Sequence, residues 1–175
     1  MQGRIVPATT PNTRAQEPLN GRWMGDIILG HCRHPLTFSL LDLWNQKRGG
    51  NAHPQRRDLD VLDLRPWLGW LAIYDYLPDR DDYYCRLFGE HVRRSIGTDM
   101  TRRHMSEYPS DLYAAIRSQY DDVRRTGRPL LAHFMSSAVV VGEFQRARFP
   151  AEKLILPLSR SGTQVDCFLT LSLAI

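Results

Sequence analysis

The tripeptide Gly127-Arg128-Pro129 separates two hydrophobic periods, and that switch limits the folds open to the chain. Ahead of it, Leu112, Ile116, Tyr120 and Val123 recur at the spacing that gathers apolar side chains on one face of a helix. Ser110 can start that helix, because its hydroxyl accepts from an otherwise orphaned amide. Gly127 can adopt the left-handed conformation that ends a helix, and Pro129 cannot continue one. Beyond the switch the period falls to two. Three strands are expected there: Leu130 to Val141, broken by Gly142; a run within Arg148 to Leu158, interrupted by Pro150 and Pro157; and a final strand. In the final strand Val165, Cys167, Leu169 and Leu171 alternate with Asp166, Thr170 and Ser172, which predicts one buried and one solvent-facing side. Pro157 lacks an amide donor and belongs at a sheet edge or strand end.

Upstream, Leu71 to Leu77 is apolar on both faces, so it is expected to be covered on both sides. The Pro78 to Asp82 turn leads to a second strand, Tyr83 to Phe88, closed by Gly89. Together they read as an antiparallel hairpin. A helix is predicted over Pro35 to Arg48, with Leu36, Leu40, Leu43 and Trp44 on one stripe that Phe38 and Leu41 broaden. Gly49-Gly50 ends it. Asn51 to Asp60 is a polar loop, Asp63 to Leu68 a helical turn, and Glu90 to Ile96 a short helix stopped by Gly97. Two strands, a helical middle and three further strands make an α+β pattern with one antiparallel sheet.

A chain of 175 residues, 42% hydrophobic and 24% charged, suits one globular domain with an appended segment. This excludes a wholly disordered chain. No apolar run approaches the ~20 residues of a membrane helix, so no membrane partner is expected. Residues 1–30 read as a tail rich in proline and polar residues. Residues 31–68 form a helix and loop packed on the core, and 69–175 form the core itself. No secretory signal precedes them, so a cytoplasmic location is expected and Cys32, Cys85 and Cys167 should be free thiols. The net charge of +4 is carried almost entirely by arginine, since Lys47 and Lys153 are the only lysines.

Several short motifs fall in a fixed order: Trp44 through Lys47-Arg48-Gly49, Pro54-Gln55-Arg56-Arg57-Asp58, and Tyr83-Tyr84-Cys85-Arg86-Leu87-Phe88-Gly89. Tyr120 to Gly127 with Pro129, then Leu156-Pro157-Leu158 and Ser161-Gly162, complete the series. In these residues the chain resembles a PAS-like family of small single-domain bacterial proteins, over roughly residues 36 to 175. The resemblance implies a five-stranded antiparallel sheet with helices on one face, plus an added N-terminal helix. It also implies a sensory or signalling role: binding of a small molecule or a signalling protein, often as a dimer, regulatory rather than catalytic. Trp44, Pro54, Asp58, Arg86, Gly89 and Pro157 would hold the fold. Trp44 would pack the first helix on the sheet, and Arg86 would pair with Asp58.

A PAS-like cavity would be lined by inward residues of sheet and helices, here Cys85, Leu87, Tyr120, Phe134, Leu156, Cys167 and Leu169. A basic stretch, His91, Arg93, Arg94, Arg102, Arg103 and His104, falls in the helical middle. Within it Arg102, Arg103 and His104 are candidates for an anionic ligand, against the alternative of a solvated face. Nucleic acid is a weaker fit, because no aromatics interleave the arginines. Flavin is not favoured: Cys85 precedes Arg86, but in a strand and without the photosensor's Asn and Gln. Haem is not favoured either, since the long helix lacks histidine, which leaves only His104 or His133. His31, Cys32 and His34 have metal-capable side chains but no second ligand pair at a defined spacing. No nucleophile elbow or phosphate loop occurs, so no catalytic residue is assigned. A homodimer through the first helix is expected from its wide stripe. The alternatives are a small enzyme using an α+β cavity and a ligand-free adaptor with a filled core.

Overall fold

The computed structural model describes residues 21–27, 29–139 and 146–175. Among these residues six antiparallel strands form one sheet: β1 (Arg22–Met24), β2 (Leu71–Leu77), β3 (Asp82–Phe88), β4 (Leu130–Val139), β5 (Arg146–Leu158) and β6 (Cys167–Ala174). Their order across the sheet is β1-β4-β5-β6-β2-β3. Among the described residues four α-helices pack on it: α1 (Pro35–Arg48), α2 (Val61–Leu64), α3 (Glu90–Ile96) and α4 (Ser110–Thr126). The α+β fold is the one the resemblance implies, with β2 to β6 as its five strands.

The sixth strand is a correction. Arg22–Met24 lies within the segment read as a tail, yet it pairs with Leu130 to Ala132 of β4. It covers an edge that would otherwise present unpaired amides and carbonyls. The rest of that segment, residues 1–20, and the Val140–Gly142 strand end lie outside the described residues.

The sheet is buried on both faces. On one, α1 contributes Leu40, Leu41 and Trp44, with Leu59, Leu64 and Trp67 from the loop and turns that follow. These pack on Leu131, Leu154, Leu156, Cys167, Leu169 and Leu171. On the other, Val92 of α3, Met100, Met105 and Tyr108 from the α3–α4 connection, and Tyr120 and Val123 of α4 cover Tyr74, Tyr83, Cys85 and Phe168. Leu71 to Asp75 is buried throughout, as its two-sided apolar pattern predicts. The last strand departs from its alternation. Phe168 and Thr170 are buried as well, because α4 lies over them, and Thr170 Oγ1 is satisfied by the Tyr120 hydroxyl at 2.7 Å.

Neither proline breaks β5. Pro150 pairs with Met135, and its carbonyl accepts from the Ile175 amide at 2.9 Å. Pro157 sits near the end of β5, in an interior strand, but β4 reaches only to Ile155. The missing donor therefore faces no strand, and the Pro157 carbonyl accepts from Trp44 Nε1 at 2.9 Å.

Candidate functional site

The α4-facing side of the sheet concentrates polar groups inside an apolar core. Tyr74, Tyr83, Tyr120 and Phe168 pack edge-on with ring centroids 5.2–5.5 Å apart. Such offset contacts add about 0.5–1.5 kcal/mol per pair beyond burial. Each phenol also has a partner. Tyr74 and Tyr108 hydroxyls lie 3.0 Å apart, Tyr120 meets Thr170, and Tyr83 donates to Asp121 Oδ1 at 2.7 Å. Burial holds these phenols above their ordinary pKa, and Asp121 adds to the effect at Tyr83. Cys85 lies in the same core, its thiol pushed up to about 12 by burial. It is a packed side chain rather than a nucleophile.

A clasp joins α4 to the β2–β3 turn. Arg117 donates to the Asp81 carbonyl at 2.6 Å and the Tyr113 hydroxyl at 2.8 Å, and pairs with Asp81 Oδ2 at 2.8 Å and Asp121 at 3.2 Å. Tyr76 donates to Asp81 Oδ1 at 2.9 Å, and the Arg124 guanidinium lies 4.1 Å over the Tyr76 ring. Asp81 has φ +46°, a left-handed conformation that a short polar side chain tolerates best. The clasp did not stand out in the sequence, because Asp81, Arg117, Asp121 and Arg124 looked like ordinary turn or surface charges and Tyr76 like one more apolar residue of its strand.

The residues expected to line one cavity lie on two faces of the sheet. Cys85 and Tyr120 belong to the α4 side, and Phe134 is half-buried there. Leu156, Cys167 and Leu169 face α1 instead, and Leu87 packs with them. Two causes operate. Strand β6 is covered on both sides, so burial did not reveal which residues face α4. In β3 the pairing runs Ile73 to Leu87 and then Tyr74 to Cys85, so Arg86 is the extra residue of a bulge. A bulge reverses facing across itself and separates Cys85 from Leu87.

Arg86 pairs with Asp75 at 2.6 Å, not with Asp58. Asp58 accepts from the Gln55 amide at 2.8 Å, within its own turn. Pro54 accepts from the Ser159 amide, tying that loop to the end of β5. Gly89 is required by close approach, since a Cβ there would meet the Gly69 carbonyl at 2.4 Å. Trp44 packs α1 on the sheet as expected.

The basic stretch does not converge on one point. Arg93 and Arg94 both pair with Glu90, and His91 stacks on Trp70. Arg102 and Arg103 are exposed, while their backbone pairs with Cys85 as an added edge beside β3. His104 is half-buried against Tyr84 and lies 3.7 Å from Asp82. The His31, Cys32 and His34 group is divided too. His31 stacks on Trp23, and His34 Nδ1 accepts from the Leu36 amide at the start of α1. The Cys32 thiol is raised to about 11, by burial first and by Glu152 second. No group of three metal-capable side chains forms among the described residues.

Glu152 and His133 form a fully buried pair at 2.7 Å on the α1 side. Glu152 also accepts from the Arg33 amide at 2.7 Å and the His34 amide at 3.2 Å. It thereby pins the segment leading into α1. The wide stripe of α1 is spent on the sheet, leaving Phe38 as its exposed large apolar residue. The dimer expectation loses the face it rested on.

A family model for the PAS domain matches residues 32–171, and the chain belongs to that family. No curated protein matches the chain. Among solved structures it is similar to an RNA-binding light-oxygen-voltage receptor, at 12% identity and a TM-score of 0.43, over 89% of this chain. The chain spans 38% of that receptor's chain. Among the described residues no helix is long and apolar enough to cross a membrane.

Proposed function

We propose that this PAS domain is a regulatory module that signals through the packing of α3, α4 and their connection on the sheet. Its input is a small molecule or a signalling protein, and it performs no catalysis of its own. The observation that carries this reading is the contact between α4 and the sheet. It combines a tyrosine-lined core with a polar clasp on Asp81, so α4 can be displaced only by exchanging specific hydrogen bonds. Such an interface has discrete arrangements rather than a continuum, and an input that favours one shifts the population.

Native mass spectrometry of freshly isolated protein, with its ultraviolet–visible spectrum, tests this reading. A stoichiometric small-molecule adduct or a protein partner of defined mass is expected. A bare monomer mass, unchanged after incubation with the host's small-molecule and protein fractions, would contradict it.

A further inference from the structure

Lys153 is out of place in this chain. Positive charge is otherwise carried by arginine, and the only other lysine, Lys47, pairs with Asp63 at 2.6 Å. Lys153 lies on β5 opposite Ala132 of β4 and Ser172 of β6, so its side chain rises from the α4-facing side of the sheet. Its Nζ donates to Gln119 Oε1 of α4 at 3.2 Å and sits 5.5 Å from the centre of the Phe134 ring. No carboxylate among the described residues pairs with it. Neighbouring Glu152 is on the opposite face, held by His133 and two amides, and Asp122 of α4 is taken by Arg22 and Arg125. Burial alone brings the Lys153 ammonium down to about 8. This cation is met by one neutral amide and one ring and by no carboxylate among the described residues, and an anion is the group that complements it.

We infer that Lys153, Gln119 and Phe134 form a binding site for a small carboxylate with a flat, unsaturated body. The carboxylate takes Lys153 Nζ from Gln119, whose amide then turns to donate its N–H to the second carboxylate oxygen. The ligand's flat body lies against the Phe134 ring. Gln119 belongs to α4, so occupancy removes one of the hydrogen bonds between α4 and the sheet. In that respect the inference deepens and rests on the signalling role proposed for α4.

Because the chain has two lysines, selective 13Cε-lysine labelling gives two side-chain signals, with Lys47 as an internal control. Benzoate is the probe, titrated at constant ionic strength against chloride and inorganic phosphate. The expected result is a saturable shift of the Lys153 signal only, with its titration midpoint moving up from about 8 toward the ordinary lysine value. Lys153→Met should abolish the benzoate-induced rise in thermal midpoint, and Gln119→Ala should weaken benzoate several-fold. The inference is overturned if the shift is linear in benzoate, is shared by Lys47, or is matched by phosphate. Backbone amide signals of α4 are recorded in the same titration. If benzoate saturates Lys153 while α4 stays unchanged, the binding site stands and the signalling role of α4 fails.

Discussion

Trp44 joins two elements through a single atom. Its indole fills the space between α1 and the sheet, and Nε1 satisfies the carbonyl of a proline at which β5 has lost its outer neighbour. Trp44→Ala should destabilise the fold by about 3–5 kcal/mol, from the cavity and the orphaned carbonyl together. Trp44→Phe keeps most of the volume and should cost less than half of that; urea unfolding midpoints measure both. On the other face the Tyr120 hydroxyl is the partner of buried Thr170. Tyr120→Phe should therefore cost about 1–3 kcal/mol without any change in packing. Restoring most of that loss with Thr170→Val in the same chain would confirm a hydrogen bond as the cause.

At the scale of elements, α1 is held at its N-terminal end by Glu152 and along its stripe by leucines. Glu152→Ala removes the acceptor for two amides and leaves His133 without its partner, a loss of about 3–5 kcal/mol. Hydrogen exchange should show it first at the Arg33 and His34 amides. Unchanged protection there would mean that the leucine stripe alone positions α1. Both ends of α1 and the C-terminal ends of α3 and α4 were legible in the sequence because Pro35, Gly49, Gly97 and Gly127 are local start and stop signals, whereas the capping position before α4 is Pro109, with no side-chain cap, so Ser110 is the first helical residue and not the cap. The two-sided burial of β2 was legible in Leu71 to Leu77. Facing within β3 and β6 was not. The bulge at Arg86 comes from pairing with a distant strand, and Thr170 is polar yet buried because Tyr120, 50 positions away, completes it. The α4 clasp and the Lys153 site were hidden for the same reason: each gathers unremarkable residues from elements far apart in sequence.

For the whole molecule, buried acids dominate the alkaline response. Burial raises Cys32 to about 11 and Cys85 and Cys167 to about 12, from 9.0 in an exposed thiol. The unfolded chain loses these protons above pH 9 while the native state keeps them, so stability falls as pH rises from there. The buried tyrosines Tyr74, Tyr83, Tyr108 and Tyr120 add to the fall above pH 10. Lys153 acts in the opposite direction between about 8 and 10.5, as one group against three thiols above pH 9, with the tyrosines joining the thiols above pH 10. The urea midpoint of the reduced protein should therefore drop steadily above pH 9, and a flat profile to pH 10.5 would contradict the packing of these residues. For the proposed signalling role, α4 and the connection before it must form a unit able to repack while the sheet stays intact. Native-state hydrogen exchange, followed amide by amide in low denaturant, tests it most directly. The expected result is that α4 and Met105–Glu107 open together, at a free energy clearly below that of β2, β5 and β6. If α4 exchanges only with those central strands, through global unfolding, no separate second packing exists and the signalling role of α4 is contradicted.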